Sequence, residues 1–452
     1  MRLFFSFLYL IIFTAALYPQ KSLSLDEAIK IALQRNTTLE KAENNIKTFE
    51  ANKLAAYGNL MPNIGASGGF NWNRRQQAAI SETRIINGIP ITIESDATTS
   101  EVRTYDANIG YNWTLFDGLS NIANVSRSDN NLKSAEYTIM RVKQDVVFQT
   151  ISLYYDVINA RQLLKVKEDD LKRFQKNLET TTERNKLGAV TLADVYAQQV
   201  QVGNAELEVI RTKNLLETAK ANLLYFLGLD VLEEYNFADS LTDQEKNLLD
   251  DRISEDYTNL TELVNLALET RPDYKSRKYD LESAEDAVTM AWGGYLPTLS
   301  SSGGFGSSAN SLDQLFESKG YSFGLSLNIP IFSGFAVDNQ VQQAKVLSEN
   351  TAVELVELER AIKRDIQTAF LNLQAAEKAL EVGERNVIAA EENQKIEEEK
   401  YNLGSGTILN VLVANAEYTN AVTNYINAQF DYLRLSEELK YQLGNLDYSM
   451  YE

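Results

Sequence analysis

The side chains that most often carry out chemistry in proteins are missing from this chain. It contains no Cys and no His, which excludes thiol nucleophiles, disulfides, thiolate metal sites and imidazole catalysis. Carboxylates are its most abundant reactive groups, with the densest run between Glu391 and Glu399. They stand among Lys and Arg in helical stretches, which is typical of solvated helix faces. No Gly-rich phosphate loop follows a predicted strand. We therefore expect no enzyme, no cofactor and no metal site.

The chain is also strongly acidic. Its formal net charge is −20 over 452 residues. Nucleic-acid binding depends on clustered Lys and Arg that neutralise phosphates, so we expect no nucleic acid among the partners. The function must then come from the architecture that the rest of the sequence specifies.

The sequence contains two similar halves. Leu115–Gly118 returns as Ile331–Gly334, and Gly188 returns as Gly404, both at an offset of 216 residues (404 − 188 = 216). A constant offset means that the elements between these points match in length. One long repeat that occurs twice indicates a duplicated unit rather than a solenoid.

Two long stretches without proline carry apolar residues at helical spacing and predict very long helices. They run from Leu119 to Asn185 and from Phe335 to Tyr401, each roughly 100 Å long at 1.5 Å per residue. Returning helices are predicted over Leu192–Phe226 and Leu409–Gln442. Both long helices have a buried stripe that breaks its 3–4 spacing at the same place, as in a coiled coil with a stutter. The stripes comprise Ile139, Val142, Val146, Thr150, Leu153, Val157, Ala160 and Leu164, and Leu355, Leu358, Ile362, Ile366, Ala369, Leu373, Ala376 and Leu380.

A broken helix precedes the strands of each half. Helices Ser24–Arg35 and Leu260–Thr270 each end at a break, after which a second helix begins. Asn36 and Pro272 suit these restarts as a cap and a first-turn residue. The second helix and the returning helix together match one long helix, so each half can build an antiparallel pair.

Alternation of apolar with small polar residues predicts four strands, at Ala66–Asn73, Tyr105–Leu115, Leu299–Gly306 and Tyr321–Ile329. Such segments with aromatic ends are typical of a membrane barrel with a wet lumen, although a soluble hairpin on a core would alternate too. The polar segment Gln76–Ser100 is expected to be an exposed loop. The side chains expected to face lipid are Tyr105, Ile109, Tyr111, Trp113, Tyr321, Phe323, Leu325 and Leu327.

Four strands cannot close a membrane barrel, because an open edge leaves unpaired backbone groups in lipid at several kcal/mol each. The smallest usual barrels have about eight strands. The chain must therefore oligomerise if its strands span a membrane. We predict an α+β membrane channel with two internal repeats, in which a β-barrel continues as a long antiparallel α-helical coiled-coil barrel.

The start of the chain suggests export. Arg2 precedes an apolar run, Leu3–Tyr18, which fits a secretory signal better than a spanning helix, with an uncleaved anchor as the alternative. A lipoprotein is excluded because no Cys can carry the lipid. We expect a signal peptide at 1–22 with an unassigned cleavage site, a first repeat at 23–228, an acidic irregular linker on the outside at 229–259, a second repeat at 260–446 and a tail at 447–452.

The residues between these elements resemble those of the TolC-type outer-membrane efflux proteins. The resemblance runs from about Ser24 to Leu446, in order and in duplicate. It is carried by Leu25–Ala28, Arg271–Asp273, Leu296–Pro297, Ile329–Gly334 and the tip motifs that end in Asp194–Val195 and Asn410–Val411.

This resemblance implies an assembly and a location. The family implies a homotrimer with a twelve-stranded barrel in the outer membrane, four strands from each chain, and a helical tunnel through the periplasm. It implies docking to a periplasmic adaptor (membrane fusion) protein and an inner-membrane pump. The chain would then be a passive exit duct for tripartite efflux or type I secretion.

In that family the turns between the helices face the adaptor and close the aperture. The resemblance places these docking tips at Leu187 and Gly188 in the first half, and at Leu403 and Gly404 in the second.

The same resemblance suggests residues for the gate. Asp194 and Tyr401 match positions that hold the family's entrance shut through polar links. Asn410 and Val413 stand at positions where the family often has an acidic pair that rings the constriction. Gly406 stands where the family often has a basic residue. An acidic ring favours cations through its field. We therefore expect closure by packing and hydrogen bonds rather than by a salt bridge.

Other functions fit parts of the sequence. An exported, filament-forming coiled-coil protein also tolerates the absence of Cys and His, but it does not explain the strands. A periplasmic adaptor carries a helical hairpin too, although one rather than two. The exported substrate and the class of pump are left open, because a tube of small polar residues carries little chemical information.

Overall fold

The computed structural model of the chain describes residues 21–237, 241–250 and 259–451. The expected signal peptide at 1–22 lies outside these residues except for its last two positions. The described chain forms two compact units, and each takes residues from both halves of the repeat. The sheet unit comprises Asn44–Tyr137 and Tyr274–Glu357. The helical unit comprises the residues up to Glu43, Thr138–Asp273 and Leu358–Glu452.

The helices match the predicted ones closely. Both long helices contain 67 residues and both returning helices contain 35, as the constant offset of the repeat requires. The helices are α1 (Leu25–Arg35), α2 (Thr37–Gly58), α3 (Ser120–Lys186), α4 (Leu192–Phe226), α5 (Asp243–Asp250), α6 (Leu260–Thr270), α7 (Pro272–Trp292), α8 (Ala336–Asn402) and α9 (Ile408–Gln442). Among the described residues, no helix combines the length and the apolar character that crossing a bilayer requires.

The helix breaks have the predicted causes. The Asn36 side-chain oxygen accepts a hydrogen bond from the Thr38 backbone N–H at 2.9 Å and so caps α2. Helix α7 begins at Pro272, where the missing N–H costs no helical bond. Gly188 and Gly404 end the long helices with φ of 74° and 77°, a conformation that glycine adopts without steric cost.

The middle of each predicted stripe is buried in the helical unit, and its ends are half-buried. Val157 in α3 and Ile362, Ile366 and Leu373 in α8 have no exposed surface. Helix α3 buries a wider face than the stripe alone, because α1 and α4 also pack on it within one hydrophobic core. These contacts hold α1 and the end of α4 against the middle of α3.

Part of the linker is structured, which corrects the prediction of an irregular segment on the outside. Residues Tyr235–Phe237 form a strand that pairs in parallel with Lys21–Leu23. Phe237 is only 4% exposed, and its ring lies 6.4 Å from that of Tyr154. The aromatic residues of this segment join the core, so the acidic composition did not predict its position.

The strands are β1 (Lys21–Leu23), β2 (Asn63–Gln77), β3 (Ile80–Ile86), β4 (Ile89–Ser95), β5 (Thr98–Asp117), β6 (Tyr235–Phe237), β7 (Thr298–Ala309) and β8 (Gly320–Asn328). The sheet unit contains an antiparallel four-stranded sheet in the order β2-β5-β7-β8. Within the described residues, β2 and β8 each pair on one side only, so the sheet has two open edges.

The segment Gln76–Ser100 is a β-hairpin extension rather than the predicted loop. Strands β3 and β4 pair in antiparallel register from Ile80↔Ser95 to Ile86↔Ile89. Asn87 and Gly88 form the turn with φ of 53° and 81°. Asn-Gly is the strongest short-range hairpin signal, since both central residues of this turn need a positive φ. The polar composition of the flanks concealed it.

Candidate functional site

All eight residues predicted to face lipid lie on one face of the four-stranded sheet. Cross-strand partners point to the same side, and the register connects β5 to β8 through β7. Ile109 opposes Phe305, which opposes Tyr321, and Trp113 opposes Ser301, which opposes Leu325. The large side chains on β8 are open to the surroundings, with Tyr321 81% and Phe323 72% exposed. That this face meets lipid stays a prediction.

The register adds residues that the sequence analysis did not assign to this face. Phe70 on β2 opposes Tyr105 with ring centroids 4.9 Å apart, and Ile64 opposes Tyr111. Phe305 completes the set on β7. These positions follow the alternation of their neighbours, so pairing the strands would have revealed them.

The opposite face of the sheet is small and polar. Gly110 and Asn112 on β5 alternate with the apolar positions, and Ser302 and Gly304 do so on β7. A Cβ at Gly304 would lie 2.5 Å from the Ile109 carbonyl oxygen, so the strands approach closely there. An apolar side and a small polar side on one sheet fit a wall between lipid and water.

Aromatic residues lie where the strands meet the helices. The Trp113 indole N–H donates to the Leu60 carbonyl oxygen at 2.9 Å. Beside the start of β7, the rings of Trp292 and Tyr295 lie 5.1 Å apart. Trp and Tyr prefer the membrane–water interface because their rings are apolar and their polar atoms need partners. These residues suit the edge of a hydrocarbon layer.

The predicted docking tips are strongly exposed turns of the helical unit. Leu187 is 84% and Leu403 is 77% exposed. No Cβ added at Gly188 or Gly404 would meet another atom within 4 Å. Arg184, which the sequence analysis missed, donates to the Asn402 side-chain oxygen at 3.2 Å and so links the two tips.

Asp194 takes part in a capping box at the start of α4. Its Oδ2 accepts from the Thr191 backbone N–H at 2.9 Å and from the Thr191 hydroxyl at 2.8 Å. The Thr191 hydroxyl in turn accepts from the Asp194 backbone N–H at 3.3 Å. Helix capping is therefore one established contact of this carboxylate, and a role in the gate has to be additional.

Tyr401 lies beneath the second tip with its hydroxyl buried. That hydroxyl has no hydrogen-bond partner among the described residues. It borders a cavity of about 70 Å³ that Thr181, Glu398 and Val411 also line. The Arg184 guanidinium lies 5.3 Å from the Tyr401 ring, a cation–π contact. A buried hydroxyl costs free energy until it finds a partner, which makes this position sensitive to rearrangement of the tip.

Asn410 and Val413 lie one turn apart on α9, and both are exposed. The Asn410 side-chain amide donates to Glu397 at 3.2 Å, and Glu397 also pairs with Lys400 at 2.6 Å. This pair with Lys400, together with the Asn410 bond, holds the pKa of Glu397 below its ordinary range. A carboxylate from the long helix thus stands next to the position where α9 lacks one.

A polar layer further from the tips was not found from the sequence. Asp170 on α3 pairs with Arg173 and accepts from the Thr419 hydroxyl on α9 at 2.8 Å. Burial lowers the pKa of Arg173 from its usual value. Within the second helix pair, the buried Gln394 amide on α8 donates to Asn415 on α9 at 2.6 Å. The structure therefore joins its helices by buried polar contacts as well as by apolar packing.

The predicted site residues fall into separate groups. Asp194 lies with the first tip, while Tyr401, Asn410 and Val413 lie with the second. The structure joins the two groups through Arg184 rather than through Asp194. The eight apolar sheet residues belong to the other compact unit.

The sequence of this chain is similar to those of known outer-membrane proteins. A sequence model of the family described as outer membrane efflux protein matches residues 28–229 and 263–445, once in each half of the repeat. The outer membrane protein TolC of Vibrio cholerae is 22% identical over 442 residues, covering 96% of this chain and 90% of its own. TolC of Escherichia coli is 23% identical over 447 residues, covering 95% and 82%.

Solved structures agree on the fold. The outer membrane protein VceC of Vibrio cholerae superposes with a TM-score of 0.76 at 20% identity, covering 93% of this chain and 96% of its own. CusC, which forms a transmembrane channel, superposes with a TM-score of 0.79 at 15% identity, covering 93% and 92%. The order of strands and long helices is therefore shared along nearly the whole chain.

Proposed function

The chain belongs to the outer membrane efflux protein family, and from this premise we propose that it works as a homotrimer whose twelve strands close one β-barrel. It is an outer-membrane protein that extends into the periplasm and serves as an exit duct for efflux or secretion. Members of the family are channels rather than enzymes. A filament-forming coiled coil no longer fits, because the sheet and its two open edges would have no role.

One observation supports a closed ring of copies, and the family resemblance sets their number at three. The four-stranded sheet has an apolar face, a small polar face and two edges that pair on one side only within the described residues. An unpaired edge in lipid costs several kcal/mol per backbone group. Pairing β8 of one copy with β2 of the next removes both edges, and three copies supply twelve strands.

In the proposed duct, partner proteins docked at the tips deliver the exported substrate. Leu187 and Leu403 are apolar, exposed and supported by rigid helix ends, which suits docking of a periplasmic adaptor protein. The adaptor would connect the duct to an inner-membrane pump. We keep the sequence division into a signal peptide at 1–22, two repeats at 23–228 and 260–446, a linker at 229–259 and a tail at 447–452 as part of this proposal.

Single-channel conductance of the purified protein in a planar lipid bilayer tests the duct. Discrete, small steps are expected, because the helix tips nearly close the tunnel. Chemical crosslinking of the same preparation should stop at three copies. A folded oligomer from the membrane that conducts no ions would overturn the channel, and a crosslinked ladder that ends elsewhere would overturn the trimer alone.

Asp194 offers a test of the gate. We propose that its carboxylate makes polar links between copies in addition to capping α4. Asp194→Ala should raise the conductance of the closed channel. Thr191→Ala is the matched control, because it breaks the same capping box, at about 1 kcal/mol, and keeps the carboxylate. Equal conductance changes in the two variants would show that Asp194 acts only as a helix cap and has no role in the gate.

Acidity offers a test of the second tip. The pKa of Glu397 is depressed below its ordinary value of 4.5, chiefly by Lys400. The ionised Glu397 carboxylate therefore stabilises the tip fully at neutral pH, and this stabilisation is lost only as the pH falls through the depressed pKa. We expect the conductance of the wild type to rise at such acidity.

Glu397→Gln is the control for this acid step. It keeps an oxygen that can accept from Asn410 but removes the charge that titrates. The variant should show no rise of conductance in the same pH range. A rise of equal size in both proteins would assign the acid effect to another group.

A further inference from the structure

The β3–β4 hairpin continues the β2–β5 ladder without a change of register. The last pair of the ladder is Gln77↔Thr98, and the first pair of the hairpin is Ile80↔Ser95. Each strand advances by three positions between these pairs, so neither strand gains a residue. Side chains alternate with a period of two along paired strands. The two faces of the ladder therefore continue as the two faces of the hairpin.

Five isoleucines share one face of this hairpin. Their side chains are between 44% and 64% exposed. The five residues are Ile80, Ile86, Ile89, Ile91 and Ile93. Glu82 and Arg84 lie on the same face and pair with each other at 3.2 Å. We call this surface the isoleucine face.

The other face of the hairpin is mainly polar. Its pairs are Ser81↔Glu94, Thr83↔Thr92 and Ile85↔Pro90. The hydroxyls of Thr83 and Thr92 lie 3.2 Å apart. A hairpin with one apolar and one polar face is amphipathic, and the apolar face needs a cover.

The register decides which side of the sheet the isoleucine face continues. Even-numbered residues of β2, among them Phe70 and Trp72, lie on the face that carries Tyr105. Ile80 and Ile86 continue this even-numbered series on β3. The isoleucine face is therefore an extension of the face that the proposed function assigns to lipid, and the inference depends on that assignment.

A polar band separates the two apolar regions. The apolar part of β2 runs from Ile64 to Trp72, about 26 Å at 3.3 Å per residue, which is close to the length of a tilted strand that crosses a hydrocarbon core. Next come the paired Arg74 and Glu101, 3.6 Å apart. The isoleucine face then lies beyond the head groups, where a straight hairpin would leave it in water.

Residues 78–79 and 96–97 supply a place to bend, since the ladder is interrupted there on both strands. A hairpin that bends away from the barrel axis turns its isoleucine face down onto the membrane. A hairpin that bends over the lumen would turn the same face up into water. We propose that the β3–β4 hairpin lies on the outer surface of the outer membrane with its isoleucine face in lipid.

The second half of the chain shows that this hairpin is an addition. Residues 310–319, which connect β7 to β8, contain no strand. Barrel closure therefore does not require the hairpin, and variants within it can be studied in a folded channel.

Site-directed fluorescence tests the proposal, and the chain suits it because it contains no native Cys. Ile91→Cys carries a bimane label on the isoleucine face. Ile85→Cys is the matched control, since it changes the same residue type on the opposite face of the same hairpin. Leu325→Cys reports on the barrel. Each labelled protein is placed in nanodiscs whose lipids carry a nitroxide quencher on the upper acyl chain.

We expect the label at position 91 to lose most of its fluorescence in quencher lipid, and the label at position 85 to lose little. A repeat at Ile93→Cys should behave like position 91. Quenching at position 325 but not at 91 or 93 would overturn the hairpin proposal and leave the barrel intact. No quenching at position 325 would overturn the proposed lipid face instead. Disulfide dimers of Ile91→Cys between copies would show that a second copy, rather than lipid, covers the face.

Discussion

Gly118→Ala is expected to destabilise the channel by about 3 kcal/mol. The alanine would have to adopt a left-handed backbone conformation, and its Cβ would also clash with neighbouring atoms. Gly118 ends β5 with φ of 69°. A Cβ there would lie 2.5 Å from the Gly293 carbonyl oxygen and 2.8 Å from the Leu296 Cβ. The Gly293 backbone and a Cβ atom attached to the backbone cannot both move aside, so the junction between β5 and α3 has to distort. The melting temperature of the detergent-solubilised oligomer measures the loss.

The internal repeat supplies the control for this prediction. Gly334 is the counterpart of Gly118, with φ of 61°, but a Cβ there would meet nothing within 4 Å. Gly334→Ala should therefore show only the left-handed penalty, about 1–2 kcal/mol. If both variants melt at the same temperature, the contact with Gly293 does not contribute, and the clash argument is wrong.

Arg271→Ala is expected to cost about 2–3 kcal/mol, because it removes a buried, charged hydrogen-bond donor. The Arg271 side chain is 5% exposed and binds Asp273 through two nitrogens, at 2.6 and 3.0 Å. It also donates to the Gln442 carbonyl oxygen at 3.2 Å, at the end of α9. Without the guanidinium, the Asp273 carboxylate loses two charged hydrogen bonds, and the carbonyl oxygen at the end of α9 loses a side-chain donor. Thermal unfolding followed by helical circular dichroism measures the effect.

Arg277→Ala is the exposed counterpart, six residues further along the chain and within α7. Its side chain is 39% exposed and pairs with Glu354 at 3.0 Å and Asp280 at 3.4 Å. Ion pairs in contact with water contribute about 0–1 kcal/mol. Comparable losses for the two arginines would contradict the role assigned to burial.

The helical part of the fold could be predicted because the signals are local. Pro272 and the left-handed Gly188 and Gly404 mark where helices begin and end, and the repeat checks each assignment against its copy. The buried stripes follow directly from spacing. Helix α4 was predicted to the residue, because Gly188 and Gly228 mark the turns on either side of it.

The β3–β4 hairpin was missed because composition was given more weight than alternation. The segment contains Arg84 and Glu94 as well as a proline, which together suggested a loop. Pro90 is tolerated because β4 pairs on one side only, so its missing N–H removes no necessary bond. The Asn87-Gly88 turn was the available signal.

The candidate site was predicted only in part, because its contacts are non-local. The Arg184–Asn402 bond joins residues 218 positions apart, and the Thr419–Asp170 bond spans 249. No spacing rule within one sequence connects such pairs. The buried hydroxyl of Tyr401 and the depressed pKa of Glu397 likewise exist only once α8 and α9 are packed.

The two halves of the chain make a graded experiment possible. Left-handed glycines recur at matched positions, Gly188 with Gly404 and Gly228 with Gly444. In the proposed trimer, each such feature would occur six times, and the tips would have approximate sixfold symmetry. The β3–β4 hairpin occurs in one half only, so it lowers the symmetry of the outer mouth to threefold. A substitution in one half alters alternate tips of the ring, whereas the same substitution in both halves alters every tip. A tip substitution can therefore be placed at half of the tips or at all of them, without mixing two kinds of subunit.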